Sequence, residues 1–220
     1  MSVSGLFLVL FLLFHMSMNL AAVFSTEAYN AICEFLGANW YALAGTLILA
    51  AGVVVHLVYA TVLTLHNRSS RGSQRYAMAA EPEGGTWASR NMYVLGIIIV
   101  LGLLLHLYNF WYNMQFAEII GNHELGPFPP ADGAAYIAAL FSSPVYCIIY
   151  LVWFAAIWFH LTHGFWSAFH TIGWDNQTWL PRLKRIANVV ATIVFLCFAL
   201  VVIVFYLRSL GVCGGSCAGF

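Results

Sequence analysis

Charge is what this chain of 220 residues most lacks: Asp, Glu, Lys and Arg make up 7% of it, against 62% hydrophobic residues. Soluble domains carry about 25% charged residues, so a water-soluble globular protein is excluded and a membrane protein is indicated. Long polar stretches are missing too. The longest connections between apolar runs hold about 25 to 30 residues, too few for a separate soluble domain. The formal net charge is zero, which excludes the basic surface that a nucleic-acid partner requires. The five cysteines make no C-x-x-C pair and no C-x-x-C-H, so a covalently attached c-type haem is excluded. Cys147 and Cys197 lie in apolar runs as small packing residues. Cys213 and Cys217 can pair only if the C-terminus lies outside the cytoplasm.

What is present is apolar length. Five runs, about 4–23, 40–64, 91–113, 144–169 and 188–207, are each near the ~20 residues that cross a hydrocarbon core. Helix is the expectation for all five, because an open strand leaves its backbone unsatisfied in lipid. The expected fold is therefore an all-α membrane protein, one transmembrane domain over 1–220. The first run has no basic segment ahead of it and is interrupted by His15 and Asn19, so it reads as a retained helix, not a signal peptide. Arg68, Arg71, Arg75 and Arg90 fall in the 65–90 connection, and Arg182, Lys184 and Arg185 in the 170–187 connection. The other two connections hold no Lys or Arg but carry Glu27, Glu34, Glu118, Glu124 and Asp132. The positive-inside rule then places the N-terminus in the cytoplasm and the C-terminus outside, with Arg208 snorkelling from a helix end.

Four of the five runs carry a histidine near mid-membrane: His15, His56, His106 and His160, with His163 three residues beyond the last. An ionisable side chain at that depth is costly and marks a functional position by default. A neutral imidazole facing a bundle interior is also an axial ligand for iron. At ~1.5 Å per residue, His56 and His160 lie about 12–14 Å below the cytoplasmic surface, and His15 and His106 about 16–23 Å. Two levels of two histidines suit two haems, each clamped between two rings. Gly52, Gly102 and Ala156 precede His56, His106 and His160 by four residues, on the same helix face. Small residues there either clear room beside a porphyrin or mark contacts between helices.

The runs SGLFLVLFLLFHMSMNL and RNMYVLGIIIVLGLLLHLYNFW, and above all the block FHLTHGFWSAFHTIGW, resemble the diheme cytochrome b subunit of succinate:quinone oxidoreductases and quinol:fumarate reductases, the type with a single five-helix membrane subunit. The resemblance implies two haem b groups, one held by His56 and His160 near the cytoplasmic side and one by His15 and His106 near the outside. It implies as partners an iron–sulfur subunit and a flavoprotein subunit, a membrane quinone of the menaquinone type, surrounding lipid, and a dimer of the complex. It also implies the cytoplasmic membrane of a bacterium. His163 competes with His160 by spacing alone, and otherwise serves a haem propionate or a backbone carbonyl. His66, His123 and His170 are read as solvated surface histidines. Two departures from the family pattern are plain. The stretch before the first helix is reduced to Met1–Ser4, and Trp158 stands where some fumarate reductases carry a glutamate, so a proton route through that position is not expected.

Quinol oxidation releases two protons with two electrons, so its site needs a proton acceptor. Glu34, in AICEFLGANWY, resembles the family's glutamate for that role, with Glu27 and Glu118 as weaker candidates. Trp40, Tyr41, Trp111 and Tyr112 form an aromatic girdle that suits a quinone pocket or any membrane interface. Anionic propionates call for cationic or hydroxyl partners, and Ser89, Arg90, Arg182 and Lys184 stand at the cytoplasmic helix ends. No flavin or iron–sulfur motif is present, so the dicarboxylate chemistry is expected elsewhere in the complex. The rival readings are a b-type subunit of a hydrogenase or formate dehydrogenase, and a haem-free membrane anchor or transporter.

Overall fold

The computed structural model describes residues 1–37, 39–70, 87–174 and 176–212. Cys213 and Cys217 lie outside the described residues, as do Arg71 and Arg75 of the first basic connection. Among the described residues the secondary structure is helical throughout, and five helices are long and apolar enough to cross a membrane: Ser2–Phe24, Trp40–Ser70, Met92–Ile119, Pro144–Ile172 and Trp179–Ser209. A 31-residue helix is about 46 Å long at ~1.5 Å per residue, so the second and fifth spans project well beyond a ~30 Å core.

In chain order, α1 is Ser2–Phe24, α2 Thr26–Phe35, α3 Trp40–Ser70, α4 Trp87–Arg90 and α5 Met92–His106. A π-helical stretch, Leu107–Phe116, and the short α6, Ala117–Ile119, complete the third span. Then come α7 (Gly133–Phe141), α8 (Pro144–Ile172) and α9 (Trp179–Ser209). The core lies where α8 and α9 meet α1. Leu183, Ala187, Ala191, Val194, Phe198, Val202 and Phe205 recur every three or four residues along α9 and are all buried. α3 is different: none of its residues is fully buried, and Leu47, Val54, Val58 and Val62 form an outward stripe suited to lipid.

Three features differ from the sequence expectation. α9 begins at Trp179, nine residues before the expected 188, so Arg182, Lys184 and Arg185 occupy its first turns instead of a connection. The reason is that Leu183 and Ala187 continue the buried stripe, while Arg182 and Arg185 are exposed and Lys184 lies over the Trp166 indole of α8. The Asn176 side chain starts the helix by accepting the Trp179 amide at 2.8 Å, and Pro181 fits a first turn, where no amide bond is lost. The third span continues past 113 to Ile119 through the π stretch, where the Asn113 side chain donates to the carbonyls of Tyr108 and Asn109 at 3.0 and 3.1 Å. Finally, the two acidic connections contain the helices α2 and α7, capped by Ser25 and Asp132.

α2 and α7 are tied together at one end of the bundle. Asn30 donates to Asp132 at 2.8 Å and accepts the Ala134 amide at 2.9 Å. Arg208, at the last turn of α9, donates to the Val23 carbonyl at 2.8 Å, so the C-terminal ends of α1 and α9 share this same end. Arg68, Arg90, Arg182, Lys184 and Arg185 gather at the opposite end, here called the basic end.

Candidate functional site

The four mid-membrane histidines stand as two facing pairs. His15 on α1 and His106 at the end of α5 have ring centroids 5.7 Å apart, at an interplanar angle of 85°. Aromatic rings enclose them: Phe11 and Phe198 beside His15, and Phe110, Trp153 and Tyr150 beside His106. His106 is the last α-helical residue before the π stretch. Such a switch of hydrogen-bond register is frequent at functional sites.

His56 on α3 and His160 on α8 form the second pair, with centroids 6.4 Å apart at 63°. The Ser4 hydroxyl lies 3.3 Å from His56 Nδ1, and a Cβ on Gly5 would lie 3.5 Å from His56 Cε1, so the first turns of α1 back this ring. His56 is therefore level with Gly5, ten residues before His15 on the same helix. At ~1.5 Å per residue the two pairs are about 15 Å apart along the bundle. His163, one turn beyond His160, packs edge-on against Trp166 at 5.0 Å, and Lys184 sits over that same indole at 4.7 Å.

The donor set limits what these pairs can hold. Among the described residues no group of three or more His, Cys, Asp or Glu converges on one point. Tetrahedral zinc, which takes three or four protein ligands, therefore finds no ligand set among the described residues. Two opposed imidazoles instead suit a metal whose remaining ligands come from a planar macrocycle, as in haem. About 6 Å separates the centroids of two imidazoles bound on opposite sides of one first-row metal, since each nitrogen–metal bond is about 2 Å. His106, His160 and His163 each have a buried Nδ1 with no hydrogen-bond partner among the described residues, a costly state for a polar atom. Each pair could hold a haem iron through its two imidazoles.

The other expected site residues are dispersed. Glu34 is exposed on α2, where it lines a shallow depression with Glu27, Asn30 and Asp132. Glu27, also exposed, is held below the usual carboxylate range by its backbone amide and the Ser25 hydroxyl. Glu118 is half-buried with its carboxylate against bare Gly37, close to a bridge in which Gln115 accepts from Thr46 and Trp111. Tyr41 donates to the Phe35 carbonyl, while Trp40 is largely exposed. At the basic end Ser89 is half-buried and Arg90 exposed on α4, and Arg182 lies over Trp179 at 5.4 Å. Trp158 donates to Thr192 at 3.1 Å. His66, His123 and His170 are exposed.

The two glycines have a use between helices. A Cβ on Gly52 would come within 2.6 Å of the Phe7 ring, and one on Gly102 would meet the Trp153 indole. Trp153 is fixed there by donating to the Ile99 carbonyl at 3.1 Å. Of the two readings of these small residues, the structure carries the helix contact.

Sequence reasoning missed Ser4 and Gly5, which carry no signal of their own, and gave no role to Asn19. Asn19 did carry a signal: a polar residue four positions after His15 in an otherwise apolar run. The chain matches no known protein family, no curated protein and no solved structure.

Proposed function

We propose that this chain is the diheme membrane subunit of a succinate dehydrogenase or quinol:fumarate reductase, anchoring the complex and passing electrons between a membrane quinone of the menaquinone type and the iron–sulfur subunit. The observation that carries the proposal is the pairing of four membrane histidines from four spans, ring to ring, at two levels about 15 Å apart. When bound, a haem supplies reversible one-electron chemistry at iron. His15 and His106 would hold one haem iron, and His56 and His160 the other. The rings of Phe11, Phe110, Tyr150, Trp153 and Phe198 keep water from the first pair.

The basic end faces the cytoplasm of a bacterial cell and meets the iron–sulfur and flavoprotein subunits, as the positive-inside rule requires. There Ser89, Arg90, Arg182, Lys184 and His163 supply donors for anionic propionates. At the other end Glu34 takes a proton from quinol and, being exposed, releases it to water. Support for the family itself comes from the H-x-x-H-G-F-W-S-A-F block at 160–169 and from the order of the four ligand histidines along the chain.

The test is a reduced-minus-oxidised spectrum and haem assay of the purified chain. Two b-type haems per chain are expected. Absent b-type bands refute the proposal and leave the haem-free anchor. The complex recovered through this chain is expected to carry flavin and iron–sulfur clusters; recovery with a hydrogenase or formate dehydrogenase catalytic subunit refutes the assignment to this family.

A further inference from the structure

α1 presents a second polar side chain at membrane depth, Asn19, one turn after His15. Its amide nitrogen donates to the His15 carbonyl at 2.8 Å and stands 3.3 and 3.4 Å from Nε2 and Nδ1 of the His15 ring. Its amide oxygen accepts the Tyr29 hydroxyl at 3.2 Å. These partners settle which end of the amide points where, because a backbone carbonyl can only accept. Tyr29 is itself fixed: it is buried on α2, and a Cβ on Gly133 of α7 would lie 2.9 Å from its ring. A continuous line of contacts thus runs from the α7 backbone through Tyr29 and Asn19 to the His15 ring, which faces His106. The other histidines are held differently. His56 meets a hydroxyl, while His106, His160 and His163 keep an unpartnered Nδ1.

We propose that Asn19, locked by Tyr29, is a positioning residue for the metal centre of the His15–His106 pair, fixing the His15 ring and raising the reduction potential of the iron it binds. The inference rests on the diheme reading above. Partners of a ligating histidine orient its ring and alter its strength as a donor. Here the partner presents the positive end of an amide dipole, which opposes the extra positive charge of ferric iron and so favours the ferrous form. Reduction adds one electron to the iron and breaks no bond, so the whole effect is electrostatic and orientational.

The test is a redox titration of the purified full chain, with Asn19→Leu and Tyr29→Phe beside wild type. The His15–His106 centre is identified as the one lost in His106→Ala. Asn19→Leu is expected to lower the potential of that centre by about a tenfold change in equilibrium constant, or about 59 mV for one electron. Tyr29→Phe, which frees the amide without removing it, is expected to shift it less and in the same direction. The other centre stays where it was. Selective loss of the His15–His106 haem in Asn19→Leu also supports the role, because removing such a partner costs 10–100-fold in metal affinity. If Asn19→Leu fails to fold, Tyr29→Phe decides alone. Two bound haems with unmoved potentials in the decisive variant, or equal shifts in both centres, overturn the inference while leaving the diheme reading intact. A wild-type chain without haem overturns both.

Discussion

Replacing His106 by alanine removes one ligand from one pair and leaves the other pair untouched. The neighbours of the His106 ring are His15, Phe110, Tyr150 and Trp153, and none of their contacts reaches the His56–His160 pair, which sits about 15 Å away along the bundle. The cost to the fold follows from two opposed terms. Losing a packed ring costs about 3 kcal/mol, as for other aromatic truncations. Removing the buried, unpartnered Nδ1 relieves about 1–3 kcal/mol of unmet desolvation. The net is about 0–2 kcal/mol, so the variant is expected to insert and fold. Haem per chain, measured as the pyridine haemochromogen, should therefore fall from two to one, and redox titration should lose one component cleanly. Equal loss of both haems in a folded variant would refute the independence of the two pairs. Unchanged haem content would remove His106 from the ligand set.

Gly102→Ala places a methyl group against the Trp153 indole, which its bond to the Ile99 carbonyl prevents from yielding; the overpacking should cost about 1–3 kcal/mol. Gly45→Ala, with nothing within 4 Å of the new carbon, is the matched control, and equal thermal midpoints for the two variants would show the Gly102 contact to be soft. Arg208→Gln breaks the charged bond that joins α9 to the end of α1, at a cost of about 1–2 kcal/mol and a thermal midpoint lower by a few degrees; an unchanged midpoint refutes it. Burial pushes the Cys33 thiol from an ordinary 9.0 to about 11, so alkylation of that residue in the folded chain should stay slow at pH 9 and rise only near pH 11. The folded state holds the Cys33 proton in the window where the unfolded chain has lost it, so stability falls as pH rises from about 9 to about 11. Rapid labelling at pH 8 by mass spectrometry would contradict this burial.

The parts legible in the sequence are those written in long-range hydropathy. Five apolar runs appear as five spanning helices because lipid leaves the backbone no other solution. Depth along each run put His15 level with His106 and His56 level with His160, and these rings are neighbours in the structure. Helix ends were not legible, because hydropathy reads charged residues as connections. In the first turns of α9 the exposed Arg182 and Arg185 and the half-buried Lys184 flank a stripe that Leu183 and Ala187 continue. α2 and α7, ten and nine residues long, are too short to show a clear period and depend on Ser25, Asp132 and Asn30 for their ends. The π stretch, within which the Asn113 side chain donates to the Tyr108 and Asn109 carbonyls, has no signature in the hydropathy pattern. The roles of Gly52 and Gly102 turned on which ring filled the space beside them, and spacing along one helix says nothing about the next.

Low-temperature electron paramagnetic resonance of the oxidised, purified chain, with iron and haem counted in the same sample, tests the two histidine pairs most directly. Two low-spin ferric signals of bis-imidazole type, in equal amounts and matching two haems per chain, are the predicted result. A single signal, a high-spin centre, or iron well below two per chain would contradict it.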